Sequence, residues 1–121
     1  MVVYTNSLQV LIDDFFAGKL TAQEYVDLYH ELQTKGPSIE KDAVYSTIWL
    51  TNDEYYPIED RNENDIDENE LKAQIKLFLE NGIVKGYEIF HQYGGNKVAQ
   101  YYEKQGVPLD KAVYKYYEYK P

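Results

Sequence analysis

Apolar residues recur at helical spacing in four successive stretches of the chain. Leu8, Leu11, Ile12, Phe15 and Phe16 line one face of a helix predicted over residues 7–16. Asn6 or Ser7 caps it and Gly18 ends it. Thr21-Ala22-Gln23-Glu24 opens a second helix as a capping box. In that arrangement the Thr hydroxyl accepts from the Glu amide, and the Glu carboxylate reaches back to the Thr amide. Thr21 and Glu24 are therefore read as structural residues. Tyr25, Leu28, Tyr29 and Leu32 form the stripe of this helix, and Gly36-Pro37 stops it. A third helix is predicted from about Ser38 to Tyr56, with Glu40 and Asp42 complementing its dipole in the first turn. Val44, Ile48 and Tyr55 share a face, Tyr45 and Trp49 lie beside it, and Pro57 closes the element. Residues 57–66 read as a loop. A second capping box, Asp67 to Glu70, starts a fourth helix; Leu71, Ile75, Phe78 and Leu79 point inward, and Asn81-Gly82 signals its end.

The last third is patterned less clearly. Tyr87, Ile89, Phe90 and Tyr93 predict a short helix ending at Gly94-Gly95. Asn96 is placed to cap a further helix through Lys104, with Val98, Tyr101 and Tyr102 apolar, before Gly106 and Pro108 break it. Residues 110–119 alternate in a way that suits either helix or strand, because Tyr favours strands; they are read here as helix. The pattern as a whole predicts an all-α chain. At 121 residues it is one domain, with residues 1–82 as the core and 83–121 as a C-terminal extension.

Composition narrows the function classes. Apolar residues make up 44% and charged residues 27%, which suits a folded domain rather than a disordered one. There is no Cys, so disulfides, thiolate metal sites and Cys nucleophiles are excluded. The first residues, Met-Val-Val-Tyr-Thr-Asn, carry no basic segment or apolar run of a secretory signal, and no stretch is long enough to cross a bilayer. The expected location is the cytoplasm. Net charge is −9. Residues 1–82 hold 17 acidic and 6 basic side chains and residues 83–121 hold 4 and 6, so the two parts carry −11 and +2. Such a surface repels nucleic acid and anionic membrane and attracts basic proteins.

Catalytic signatures are missing. His30 and His91 stand outside any metal-ligand spacing and read as surface or rim residues rather than general bases. Gly94-Gly95-Asn96-Lys97 lacks the spacing of a phosphate loop. Asp65 to Asn69 begins like a calcium loop, but Glu70 stands where Gly is needed and Lys76 where a bidentate Glu is needed. No metal or cofactor is expected.

The stretch Asp53 to Glu70 is the most informative. It holds nine acids against one base, Arg61, a charge of −8 in eighteen residues. Like charges this dense cost folding free energy unless water or a cationic partner screens them. Tyr55, Tyr56, Pro57 and Ile58 sit among them, and Tyr supplies rigid contact area at low entropic cost. The candidate partner-binding residues are therefore Asp53, Glu54, Tyr55, Tyr56, Glu59, Asp60, Glu63, Asp65 and Asp67. The plain alternative is a solvated loop with two Tyr side chains in the core.

Two segments then carry a family likeness. Leu11 to Tyr25, through Phe15-Phe16-Ala17-Gly18-Lys19-Leu20-Thr21-Ala22, resembles the opening of the colicin D immunity protein family. Pro57-Ile58-Glu59-Asp60-Arg61 and, four residues on, Ile66-Asp67-Glu68-Asn69-Glu70-Leu71-Lys72 resemble that family's second block. The resemblance covers about residues 8–80. It implies a compact antiparallel four-helix bundle, here with added C-terminal helical segments. It also implies a one-to-one inhibitor of a basic nuclease toxin that cuts transfer RNA. Acidic side chains would occupy the cleft that holds RNA phosphates, with Asp53, Glu59 and Asp60 foremost and Glu54 and Asp65 next. Arg61 would fix the loop through a neighbouring carboxylate. Residues 83–121 depart from the family, so a contact-dependent inhibition system or another polymorphic toxin system fits as well as a bacteriocin. Two other readings stand beside this one: an adaptor domain binding through the exposed tyrosines of residues 114–119, and a small hydrolase with paired carboxylates, which no motif supports.

Overall fold

The computed structural model describes residues 8–34, 43–63 and 65–109. The expected cap at Asn6 or Ser7, the Gly36-Pro37 stop, the start near Ser38 and the segment 110–119 lie outside them. The structure is all-α. Its helices are α1 (Leu8–Phe16), α2 (Ala22–Thr34), α3 (Ala43–Asn52), α4 (Glu68–Gln92) and α5 (Val98–Gln105), with a 3₁₀ turn at Ile58–Asp60. No strand occurs among the described residues, only an isolated parallel bridge between Tyr55 and Ile66.

The first two helices form as their patterns predict. All five apolar residues of the α1 stripe are buried. Phe15 stacks on Tyr25 of α2 with ring centroids 4.4 Å apart and nearly parallel planes. The capping box of α2 is complete: Thr21 N–H donates to Glu24 Oε1 at 2.9 Å and Glu24 N–H to Thr21 Oγ1 at 3.1 Å. The Tyr29 hydroxyl then donates to the Tyr45 carbonyl at 2.7 Å, tying α2 to α3 inside the core.

α3 ends at Asn52, not at Tyr56. Tyr55 therefore does not share a helical face with Val44 and Ile48. It is drawn instead into the bridge with Ile66, which is buried and anchors the following loop.

α4 is interrupted at Gly82, whose φ of 78° and ψ of −177° are open only to glycine. The Asn81-Gly82 signal thus does end a helical run, and a second run follows over residues 83–92. The break is sharp. Phe78 and Phe90 are twelve residues apart, about 18 Å along a straight helix, yet their ring centroids lie 6.1 Å apart. The two runs fold toward each other, and Phe78 also meets Tyr87 edge-on at 5.0 Å. Gly86 makes that approach possible: a Cβ there would lie 2.5 Å from Cδ1 of Phe78. Gly86→Ala should therefore destabilise the protein. Overpacking costs about 1–3 kcal/mol, and better helix propensity recovers at most ~1 kcal/mol. A urea midpoint equal to or above wild type would show that the Phe78 ring yields.

The first run of α4 is buried all round, more widely than the Leu71–Ile75–Phe78–Leu79 stripe implies. That stripe joins the α1–α3 core, while Ala73 and Leu77 join a second cluster with Ile89, Val98 and Tyr102. α5 covers this second face. Lys76, buried there, pairs with Glu80 at 2.6 Å and lies over the Tyr102 ring. Gly94 and Gly95, both at positive φ, connect α4 to α5. Left-handed Gly106 ends α5, so Val107 N–H reaches back to the Tyr102 carbonyl at 3.1 Å.

The second capping box forms by half. Asp67 caps α4, accepting from Glu70 N–H at 2.8 Å. Glu70 is buried and turns the other way. Its carboxylate accepts from Val98 N–H and Ala99 N–H, both at 2.8 Å, and from Gln74 Nε2 at 2.8 Å. Glu70 is thus the N-terminal cap of α5, supplied from another helix. Asn96 does not fill that role: the residue before α5 is Lys97, which makes no side-chain cap bond.

Candidate functional site

The acidic stretch is a short excursion between α3 and α4 with a well-tied backbone. Beyond Asn52, Glu54 N–H donates to the Thr51 carbonyl and Tyr55 N–H to the Asn52 carbonyl, turning the chain off the helix. Ile66 N–H donates to the Glu54 carbonyl at 2.9 Å and Tyr56 N–H to the Ile66 carbonyl at 3.4 Å. Those two bonds clamp the ends of the loop. Between them, Asp60 N–H donates to the Pro57 carbonyl at 2.9 Å and Arg61 N–H to the Ile58 carbonyl at 3.4 Å, which makes the 3₁₀ turn. Pro57 suits the position, since its φ of −62° is preset for a turn entry.

Arg61 does fix the loop, but through a carbonyl rather than a carboxylate. Its Nε donates to the Tyr56 oxygen at 3.0 Å, closing the turn from the side. Asp65 accepts from Asn62 N–H at 2.8 Å and Asp67 caps α4, so both spend an oxygen on the local backbone. Asp53, Glu54, Tyr56, Glu59, Asp60, Glu63 and Asp67 are exposed; Tyr55, Arg61 and Asp65 are half-buried. Of the two tyrosines, Tyr55 packs against the core and Tyr56 faces out.

The charges act on one another. Partial desolvation, and then the Asp65 carboxylate, push the Glu54 carboxyl above its usual range. Burial raises the Tyr55 phenol; Glu68 adds to this, Arg61 opposes it, and Glu59 and Asp67 raise it further. The fold thus gathers Glu54, Tyr55, Glu59, Asp65, Asp67 and Glu68 around the bridge, with Arg61 as the counter-charge. In the core, burial dominates at the Tyr25 hydroxyl and pushes the phenol up, with the Asn52 side chain opposing it.

Sequence reasoning missed the placement of two residues. Ile58 is the most exposed large apolar side chain described, at 79%, and sits at the tip of the turn. Its signal was an Ile between Pro and Glu with no helical or strand partner. The capping-box reading accounts for Glu70 only locally, and nothing nearby in the chain marks its partners 28 and 29 residues away.

His30 lies against the Trp49 ring at 5.8 Å and His91 against Tyr87 at 5.7 Å, each on a helix surface. Among the described residues, no group of three or more His, Asp or Glu side chains is placed to hold a metal ion. No helix among them is long and apolar enough to cross a membrane. Comparison with protein-family models, with curated proteins and with solved structures yields no match.

Proposed function

We propose that this chain is an immunity-type inhibitor that neutralises a basic ribonuclease toxin by occluding its active-site cleft. The observation that carries this reading is the turn between α3 and α4: exposed carboxylates on a turn tied by Asp60 N–H, Arg61 N–H and the Arg61 side chain. A preordered loop loses little entropy on docking. Its negative field raises the rate of encounter with a cationic cleft, toward ~10⁸–10⁹ M⁻¹s⁻¹ at low salt. Asp53, Glu59 and Asp60 take the place of RNA phosphates, with Glu54 and Glu63 flanking them. Asp65 and Asp67 keep the loop in shape. The likeness of residues 8–80 to colicin D immunity proteins supports the same partner class.

The test is direct. A basic ribonuclease toxin domain that cuts transfer RNA, sought first in the genes adjoining this one, is purified and its cleavage is titrated with the full chain. Cleavage should stop at one equivalent. Undiminished cleavage at a tenfold excess, or turnover of RNA by this chain alone, would reject the proposal.

A further inference from the structure

We propose that Ile58 is the anchor of this interface, a side chain that enters an apolar pocket within the partner's basic face. The inference rests on the inhibitor reading above and specifies what the partner must offer: a small apolar recess rimmed by Lys or Arg.

Two isoleucines in the loop divide its work. Ile66 is 2% exposed, packs into the α1–α3 core and holds the loop to the fold. Ile58 is 79% exposed, and no buried cluster includes it. Its exposure is not the result of a loose segment. The turn that carries it is closed at Asp60 N–H, at Arg61 N–H and by the Arg61 side chain. A polar residue would complete that turn equally well, so the fold gains nothing from an isoleucine there.

The surroundings select the occupant. Tyr56, 45% exposed, lies two residues before Ile58, and the exposed Glu59 and Asp60 follow it directly. An apolar centre with a charged rim is the anatomy of a tight protein interface: the centre is desolvated and sets residence time, while the rim steers approach. Rim carboxylates demand cations around the pocket. Val84 provides an internal comparison. It is as exposed, at 78%, but sits on the second run of α4 beside the Lys85–Glu88 pair, away from the acidic turn in sequence.

The full chain and its Ile58→Ser, Val84→Ser and Glu59→Lys/Asp60→Lys variants are tested against the same ribonuclease domain by surface plasmon resonance. Melting temperatures serve as the folding control. Ile58→Ser should raise the dissociation rate roughly tenfold or more and leave the association rate within about twofold, because apolar anchors act on residence time. Val84→Ser should change neither rate. The double reversal should act mainly on association and reduce its salt dependence. If the reversal weakens binding while Ile58→Ser dissociates as wild type does, the anchor is wrong and the acidic reading stands. If Ile58→Ser weakens binding and the reversal does not, the anchor stands and charge steering falls. If the wild-type chain does not bind, both fail.

Discussion

Reversing Glu59 and Asp60 to Lys should abolish protection against the toxin, with affinity falling at least about 100-fold, equivalent to ~2.8 kcal/mol. Both side chains are exposed, and no hydrogen bond or ion pair to a described residue ties them back to the fold. Their removal therefore leaves the fold intact while changing the local field by four charge units. Against a cationic cleft, each Lys replaces attraction with repulsion at contact distance, where close charge pairs across interfaces couple by about 1.5–7 kcal/mol. The loss should appear first in the association rate and shrink as salt rises, since screening weakens attraction and repulsion alike. The matched control is Asp13→Lys with Glu103→Lys, on α1 and α5, which carry none of the candidate residues. Glu80 is unsuitable as a control because it pairs with buried Lys76. Equal loss from the control pair would place the binding face elsewhere.

Replacing Glu70 with Ala should lower the unfolding free energy by about 2–4 kcal/mol. Three donors lose their acceptor, two of them backbone amides at the start of α5. An unsatisfied buried donor costs about 1–3 kcal/mol, and water admitted at the helix end recovers part of that. Chemical denaturation at neutral pH measures the change; a loss under ~1 kcal/mol would mean that α5 is held by its apolar face alone. Glu70 also predicts a pH effect of defined sign. Burial pushes its carboxyl above the ordinary value of 4.5, Ala99, Gln74 and Val98 oppose the shift as donors, and Asp67 adds to it. A carboxyl raised on folding binds its proton more tightly in the native chain. Its stabilising contribution is full below the ordinary value and is lost as pH rises through the raised one. The stability advantage of wild type over Glu70→Gln should accordingly shrink as pH is raised from 4.5. A gap that widens would show that the donors outweigh desolvation.

Much of the fold is legible in local pattern. The α1 stripe, the α2 capping box and the glycine breaks at 82, 94, 95 and 106 all rest on interactions within a few residues. The end of α3 is not of this kind. No breaker stands between Asn52 and Pro57; the chain leaves the helix through the turn bonds of Glu54 and Tyr55 and then pairs Tyr55 with distant Ile66. The second face of α4 was hidden for a related reason. Gln74 and Lys76 look like surface residues until α5 is placed over them, Gln74 then bonding Glu70 and the Gly95 carbonyl. At the candidate site, charge density marks the stretch from Asp53 to Glu70 as a unit. It could not separate acids that build the backbone, such as Asp65 and Asp67, from acids that face outward, such as Glu59 and Asp60. That distinction lies in hydrogen bonds rather than in residue type.

Glu70 is held at both ends, its amide by Asp67 and its carboxylate by α5. A chain cut back to residue 82 would open Glu70 to water and leave Ala73 and Leu77 bare, since Ile89, Val98 and Tyr102 cover them in the full chain. Trimming this protein to its first four helical runs would therefore fail unless that second face of α4 were also made polar. A shortened version should tolerate Gln or Lys at position 77 far better than the native Leu, and should still require the cap at position 67.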